Sequence, residues 1–316
     1  MSQKPAAVRR AAVPLLAALA LSGCGGSPDH PSSKEPKEPP VEEVRTLVGS
    51  AGLAYPLDAY EHRSADREVV NRSQSVLVSR CMSRYGFTFT GLAQPPRAGA
   101  EGAARYGVSD PARAARHGYA RPGGSRGAPP TPVVSGAERL ALYGREKEDP
   151  GTWPTSQQQA ERRAEGPRVN GAVIPAGGCV RESYLKLWAP TPDSVDALFV
   201  FHLRAEAEAR AFKDSRIREV LARWSSCMKE SGYSTTSPLR AAKELGFEGP
   251  EASSAAAVTA AKADVNCKKK VNLVGIAHAV DSAYQQQLVE QHTEKLQLAK
   301  AQADQRFLLA SSLIKN

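Results

Sequence analysis

The side chains with the widest chemical range in this 316-residue sequence are its five cysteines, Cys24, Cys81, Cys179, Cys227 and Cys267. A thiol can act as a nucleophile, a metal ligand, half of a redox couple, an acylation point or half of a structural disulfide, and spacing decides among these. No two of them form C-x-x-C, which argues against a thiol-redox centre. The six histidines, His30, His62, His117, His202, His278 and His292, contain no H-E-x-x-H and stand at no zinc-like spacing to a cysteine. Gly123-Gly124 and Gly177-Gly178 lack the Lys-Ser/Thr of a phosphate loop, G-x-S-x-G is absent, and no carboxylate pair stands out from the scattered charges. The residues therefore single out no catalytic group, no metal ligand and no cofactor.

Cys24 stands apart because of what precedes it. Lys4, Arg9 and Arg10 form a basic start, residues 11–21 form an apolar run containing Leu15, Leu16 and Leu19, and Leu21-Ser22-Gly23-Cys24 follows. The run is about half the length that spans a bilayer, so residues 1–23 read as a signal peptide. The last four residues resemble the bacterial lipobox. That resemblance implies cleavage before Cys24, diacylglycerol on its thiol, and a protein held on the outer face of the cell membrane. Two acyl chains suffice for lasting attachment, where one binds reversibly. Residues 25–44 are rich in Pro, Ser, Lys and Glu and poor in apolar side chains, and residues 24–44 read as the lipidated cysteine and a disordered tether.

The remaining cysteines, Cys81, Cys179, Cys227 and Cys267, belong to a chain bound for an oxidising exterior, where two disulfides are expected. Four thiols allow three pairings. Cys81 with Cys179 and Cys227 with Cys267 is favoured, since each joins one of two similar helix ends to the next cysteine downstream. Those ends read Cys81-Met82-Ser83-Arg84-Tyr85-Gly86-Phe87 and Cys227-Met228-Lys229-Glu230-Ser231-Gly232-Tyr233, both C-M-x-x-x-G-aromatic. A degenerate internal duplication or two helices ending alike would each produce the pattern.

These residues must be positioned by helices. Apolar steps of three and four mark residues 64–85 and 214–231, each closed by glycine. Residues 193–212 are also expected to be helical, with Val195, Leu198, Phe199 and Leu203 facing inward. The stretch 92–178 is rich in Gly, Pro and Arg and reads as an irregular insert. Within it Ser109-Asp110-Pro111 can cap a short helix ending near Gly118, and Ser135 to Glu138 can box a helix stopped by Gly144. Residues 121–131 should be the most mobile. From 251 to the end there is no proline and one glycine, Gly275, which predicts a long helix or a helical pair, projecting and bent or turned near Gly275. Its apolar tip at 307–314 buries in the domain's own core or, alternatively, meets a partner or second copy. Short extended pieces are expected at 87–90 and 172–174. The fold class is mainly α: a disulfide-stapled helical domain over 45–250 and a helical segment over 251–316 packing partly on it.

Four phrases, Tyr106-Gly107-Val108-Ser109-Asp110-Pro111, Pro175-Ala176-Gly177-Gly178-Cys179, Trp224-Ser225-Ser226-Cys227-Met228 and Ala263-Asp264-Val265-Asn266-Cys267, resemble a group of uncharacterised secreted lipoproteins of high-GC Gram-positive bacteria. The resemblance spans most of the chain after the tether. It implies an envelope location and paired cysteines, and it brings no catalytic residue.

Charge narrows the partners. There are 42 basic and 33 acidic residues, a net +9, and removal of Lys4, Arg9 and Arg10 leaves 9 − 3, or +6. That modest excess, with no basic block, is a poor footprint for nucleic acid. The expected partners are the membrane, through lipid on Cys24, and an envelope protein or wall polymer. The expected role is a non-catalytic binding or accessory module of the cell envelope, the alternative being an extracytoplasmic enzyme such as a wall-active hydrolase.

Overall fold

A computed structural model describes residues 37–89, 104–121, 134, 136–145, 149–163 and 165–315. In chain order the helices among them are α1 (Ser64–Ser83), α2 (Pro111–His117), α3 (Gly136–Tyr143), α4 (Gln157–Glu161), α5 (Gly178–Trp188), α6 (Phe199–Ala211), α7 (Ser215–Glu230), α8 (Ala241–Glu244), α9 (Ala255–Lys270), α10 (Leu273–Gln291) and α11 (Thr293–Lys315). Strands β1 (Arg168–Val169) and β2 (Ala172–Val173) pair antiparallel, Arg168 opposite Val173, and a 3-10 turn (Pro56–Tyr60) precedes α1. The protein is mainly α. Both disulfides join the favoured partners, Cys81 with Cys179 and Cys227 with Cys267, and the Cα atoms are 5.6 Å apart in each.

The two C-M-x-x-x-G ends adopt one geometry. Gly86 and Gly232 have φ of +80° and +87°. The following aromatic donates its amide back to the methionine carbonyl, Phe87 to Met82 at 3.2 Å and Tyr233 to Met228 at 2.9 Å, while each glycine amide bonds the residue after that methionine. This doubly bonded left-handed ending satisfies carbonyls that a helix terminus otherwise leaves open, and glycine enters it without a Cβ penalty. Met82 and Met228 are fully buried beside the disulfides. The two disulfide partners differ in placement, however: Cys179 opens α5 and Cys267 lies in the last turn of α9.

Three apolar clusters form the interior. Val78, Met82, Tyr85, Leu142 and Ile174 pack around the first disulfide. Val220, Trp224, Met228, Ala257, Ala261 and Val265 surround the second. Between them Leu57, Leu203, Ala207, Val280, Tyr284, Leu288 and Leu296 join α6, α10 and α11 to the 3-10 turn. α10 lies among α6, α7, α9 and α11.

Several expectations change. Others hold: the two short helices expected within the middle segment form, as α2 and α3. Asp110 accepts the Arg113 amide at 2.5 Å and caps α2, with Pro111 at its first position. α3 ends before Gly144 as expected, though Ser135, its expected cap, lies outside the described residues. β2 falls within the extended piece expected at 172–174; no strand forms at 87–89, whose Phe89 carbonyl accepts the Ser79 hydroxyl instead. Residues 122–131 lie outside the described residues. α6 starts at Phe199 because side-chain bonds at Thr191, Ser194 and Asp196 hold the preceding residues in turns, leaving Leu198 54% exposed where an inward position was expected.

The C-terminal segment is three packed helices, not one projecting rod. The chain turns at Asn272, which has a φ of +53°, and again at His292. The turn expected near Gly275 thus falls three residues earlier, at Asn272, and not on Gly275 itself. That glycine sits inside α10, where a Cβ would come within 1.9 Å of the Arg45 carbonyl oxygen, so its role is to let another backbone cross the helix. Gln285, the first of three consecutive glutamines, is fully buried and donates to Asp281 at 3.0 Å. α11 packs along α1 and α5, and Ala310 in its apolar tip is fully buried.

Residues 38–44, expected to belong to a disordered tether, include two that are fixed to α7. The Glu38 carboxylate accepts the Ser215 amide at 2.6 Å and its hydroxyl at 2.7 Å, and the Pro39 carbonyl accepts from Arg216 at 3.0 Å. Further on, Asn272 brackets the segment, donating to the Arg45 carbonyl at 3.1 Å and accepting the Leu47 amide at 3.2 Å. Residues 38–60 thus form a strap over α7 and α10.

Candidate functional site

Beneath the strap, α10 carries Asp281 and Gln285 one turn apart on its buried side. Arg105 donates from Nε to Asp281 at 2.8 Å, Tyr106 adds its hydroxyl at 3.3 Å, and Gln285 bonds the other carboxylate oxygen. The Tyr55 hydroxyl lies 3.0 Å from that of Tyr106, and the Arg105 guanidinium lies 4.5 Å from the centre of the Tyr55 ring. Burial works against the guanidinium charge, yet the adjacent carboxylate outweighs it and raises the pKa of Arg105. Burial first, and Asp281 second, also raise the pKa of Tyr106, so its phenol stays protonated and donates.

This cluster floors a small cavity of about 70 Å³ at the α6–α7 corner. Its walls are Ala211, Phe212, Ile217, Leu239, Leu273 and Ala277, with Glu208, Ser237 and Pro238 completing the lining. Phe212 and Leu239 are 58% and 54% exposed, so they form the rim and not the core. Gly107 places the floor, because the loop passes so near the Pro238 carbonyl oxygen that a Cβ would lie 2.3 Å from it. The lining contains no His, Cys or Lys, and Asp281 is occupied by three donors from within the protein. With its guanidinium and carboxylate bonded to each other, such a floor orients and supports; Glu208 is the remaining charged side chain of the lining. What it presents to an incoming group is mainly apolar wall.

A second buried polar cluster braces the same loop. Lys268, fully buried, donates to Asp264 at 3.0 Å and to the Val108 carbonyl at 2.7 Å, and Trp224 donates its indole N–H to Asp264 at 2.9 Å. Burial pushes the Asp264 pKa up and the Lys268 pKa down, each opposed by the charge of the other. Ser109 meets Ser50 of the strap at 3.2 Å. The loop that begins with Arg105 is therefore pinned on three sides.

Of the residues singled out in the sequence, the four disulfide cysteines hold helix ends together and do not converge on the cavity, while Cys24 lies outside the described residues. The described histidines are dispersed. His278 lies by Tyr55 and the Ala54 carbonyl, His62 by Phe307 and His292 by Phe199. Among the described residues no group of three or more His, Cys, Asp or Glu could hold a metal, and no helix is long and apolar enough to cross a membrane. Arg105 and Asp281, 176 residues apart, carried no spacing signal. Compared with known protein families, curated proteins and solved structures, the chain matches no family model, no curated protein and no structure.

Proposed function

We propose that this chain is a lipid-anchored extracytoplasmic lipoprotein that works as a non-catalytic binding or accessory module of the cell envelope. Its anchor is the diacylated Cys24, and its cavity at the α6–α7 corner receives an apolar group. The observation that carries the binding role is the floor of the cavity: Arg105 and Asp281 are bonded to each other there, and the walls are mainly apolar, with Glu208 the remaining charged side chain of the lining. A reaction centre needs a group free to exchange protons or attack, whereas a receptor for an apolar group needs walls and a fixed base. The paired cysteines are compatible with an extracytoplasmic location. The lipobox-like Leu21 to Cys24 supports the anchor, and the resemblance to secreted lipoproteins of high-GC Gram-positive bacteria supports the setting.

Replacing Cys24→Ala tests the anchor. The mature chain should lose its lipid adduct by mass spectrometry and leave the membrane fraction; unchanged membrane partition sinks the anchor. For the cavity, Ala277→Phe should fill the space and abolish uptake of an apolar fluorescent probe while helicity and both disulfides persist. Undiminished uptake means that the probe binds elsewhere and the cavity is not the site.

A further inference from the structure

We infer that the α6–α7 corner is a membrane-docking face, on which Phe212 and Leu239 enter the interfacial layer of an anionic bilayer. The inference rests on the lipoprotein reading above and specifies which side of the protein the anchor holds to the membrane. Four exposed large apolar side chains lie on α6 or at the cavity mouth: Leu198, Phe201, Phe212 and Leu239, at 54%, 59%, 58% and 54% exposure. Phe201 and Phe212 are eleven positions apart, close to three whole turns, so they project from one side of α6. Phe212 and Leu239 both line the cavity, which extends the apolar surface inward. Exposed aromatic and aliphatic groups grouped in this way mark an interaction surface.

The position of the tether identifies the occupant. Glu38 and Pro39 are fixed at Ser215 and Arg216, three and four residues beyond Phe212. The chain therefore enters the folded unit beside this patch. Thirteen residues separate Cys24 from Glu38, a reach of at most about 45 Å. An anchor so short, joined next to the patch, keeps the bilayer at high effective concentration near it, so modest intrinsic affinity is enough.

Charge agrees with a lipid surface. Lys213 directly follows Phe212, Arg218 directly follows the cavity-lining Ile217, and Lys243 stands four residues beyond Leu239; all three are exposed. Several neighbouring carboxylates are already paired: Glu206 with Arg210, Asp214 with Arg216 and Glu244 with Arg240. Glu208, at the mouth, is the opposing charge. Exposed apolar side chains with cations close by in sequence fit the pattern that binds the interface of anionic membranes.

The test uses the lipidated full chain in vesicles of phosphatidylglycerol and phosphatidylcholine whose acyl chains are brominated. The Phe212→Trp variant should lose roughly half or more of its added emission to the brominated lipid. Leu298→Trp, at a 45% exposed position on α11, should be little affected. The double variant Phe212→Asp with Leu239→Asp changes only exposed positions; it should keep its helicity and leave a Trp placed at Phe201 unquenched. Mass spectrometry of the Cys24 peptide reports the anchor separately, so loss of that reading is distinguished from loss of this one. With lipid confirmed on Cys24, equal quenching at positions 212 and 298, or none at either, overturns the docking face. Shielding of Trp at 212 from aqueous iodide without lipid quenching also overturns it, and assigns the patch to a second copy or another protein.

Discussion

Lys268 shows what a single residue does in this structure. In the sequence it is the first of three consecutive lysines, a run that ordinarily marks a solvated helix end. In the fold it is fully buried and holds Asp264 and the Val108 carbonyl, linking α9 to the loop that carries Arg105 and Tyr106. Removing one member of a buried ion pair strands the other, and this typically costs about 3–5 kcal/mol, whereas replacing both by apolar groups of similar volume is often neutral. Lys268→Ala should therefore lower the unfolding free energy in urea by about 3 kcal/mol or more, while Asp264→Leu with Lys268→Met should recover part of the loss, the Trp224 indole and the Val108 carbonyl being left without these partners. If the double variant is as unstable as the single, the pair contributes attraction of its own and not merely mutual neutralisation. Tyr106, Val108, Trp224, Asp264 and Cys267, drawn from three of the four phrases that resemble secreted lipoproteins, belong to the cavity floor, this polar cluster or the disulfide beside it.

Among the elements, the two C-M-x-x-x-G endings were the most legible from sequence, because their determinants are local: an apolar stripe, a glycine, then an aromatic. Gly86→Ala and Gly232→Ala should each cost about 1 kcal/mol through the left-handed backbone they require. The same change at Gly275 should cost more, because a Cβ there must push the Arg45 backbone aside. Thermal unfolding of the three variants would rank them; an equal loss at all three would remove the crossing role assigned to Gly275. Helices α1 and α7, the cap of α2 and the glycine stop of α3 were readable for the same local reason. The onset of α6 was misplaced because side chains at Thr191, Ser194 and Asp196 competed for the backbone, and α5 carried no sequence expectation of its own. The cavity was hidden, since its floor joins residues 176 apart and its walls are ordinary apolar residues.

At the scale of the whole chain, α11 changes the balance between core and surface. Its periodicity suggested a rod reaching away from the domain, but Leu296, Ala303 and Ala310 are buried, α11 packs along α1 and α5, and Arg306 donates to the Leu187 carbonyl at 2.9 Å. Sequence periodicity reports which side of a helix is apolar, not what lies against it. Deleting residues 307–316 removes the buried Ala310 and the half-buried Phe307, Leu313 and Ile314, and should lower stability by roughly 2–4 kcal/mol, read from the urea midpoint. A truncated chain with an unchanged midpoint would show that the tip lies outside the core.

The strap has a mechanical consequence. A pull applied through the amino-terminal end arrives first at Glu38, where it loads the two bonds to Ser215 and the Arg216 contact to Pro39, and next at the Asn272 bracket around Arg45 and Leu47. Both lie ahead of Cys81, the first residue that either disulfide secures. Tension along the chain would therefore peel the strap from α7 and α10 and lift the cover from Gln285, whose side chain accepts the Leu57 amide, before it reached a covalent crosslink. The strap is thus the molecule's mechanical fuse, and the two crosslinked regions behind it are the last to feel the load.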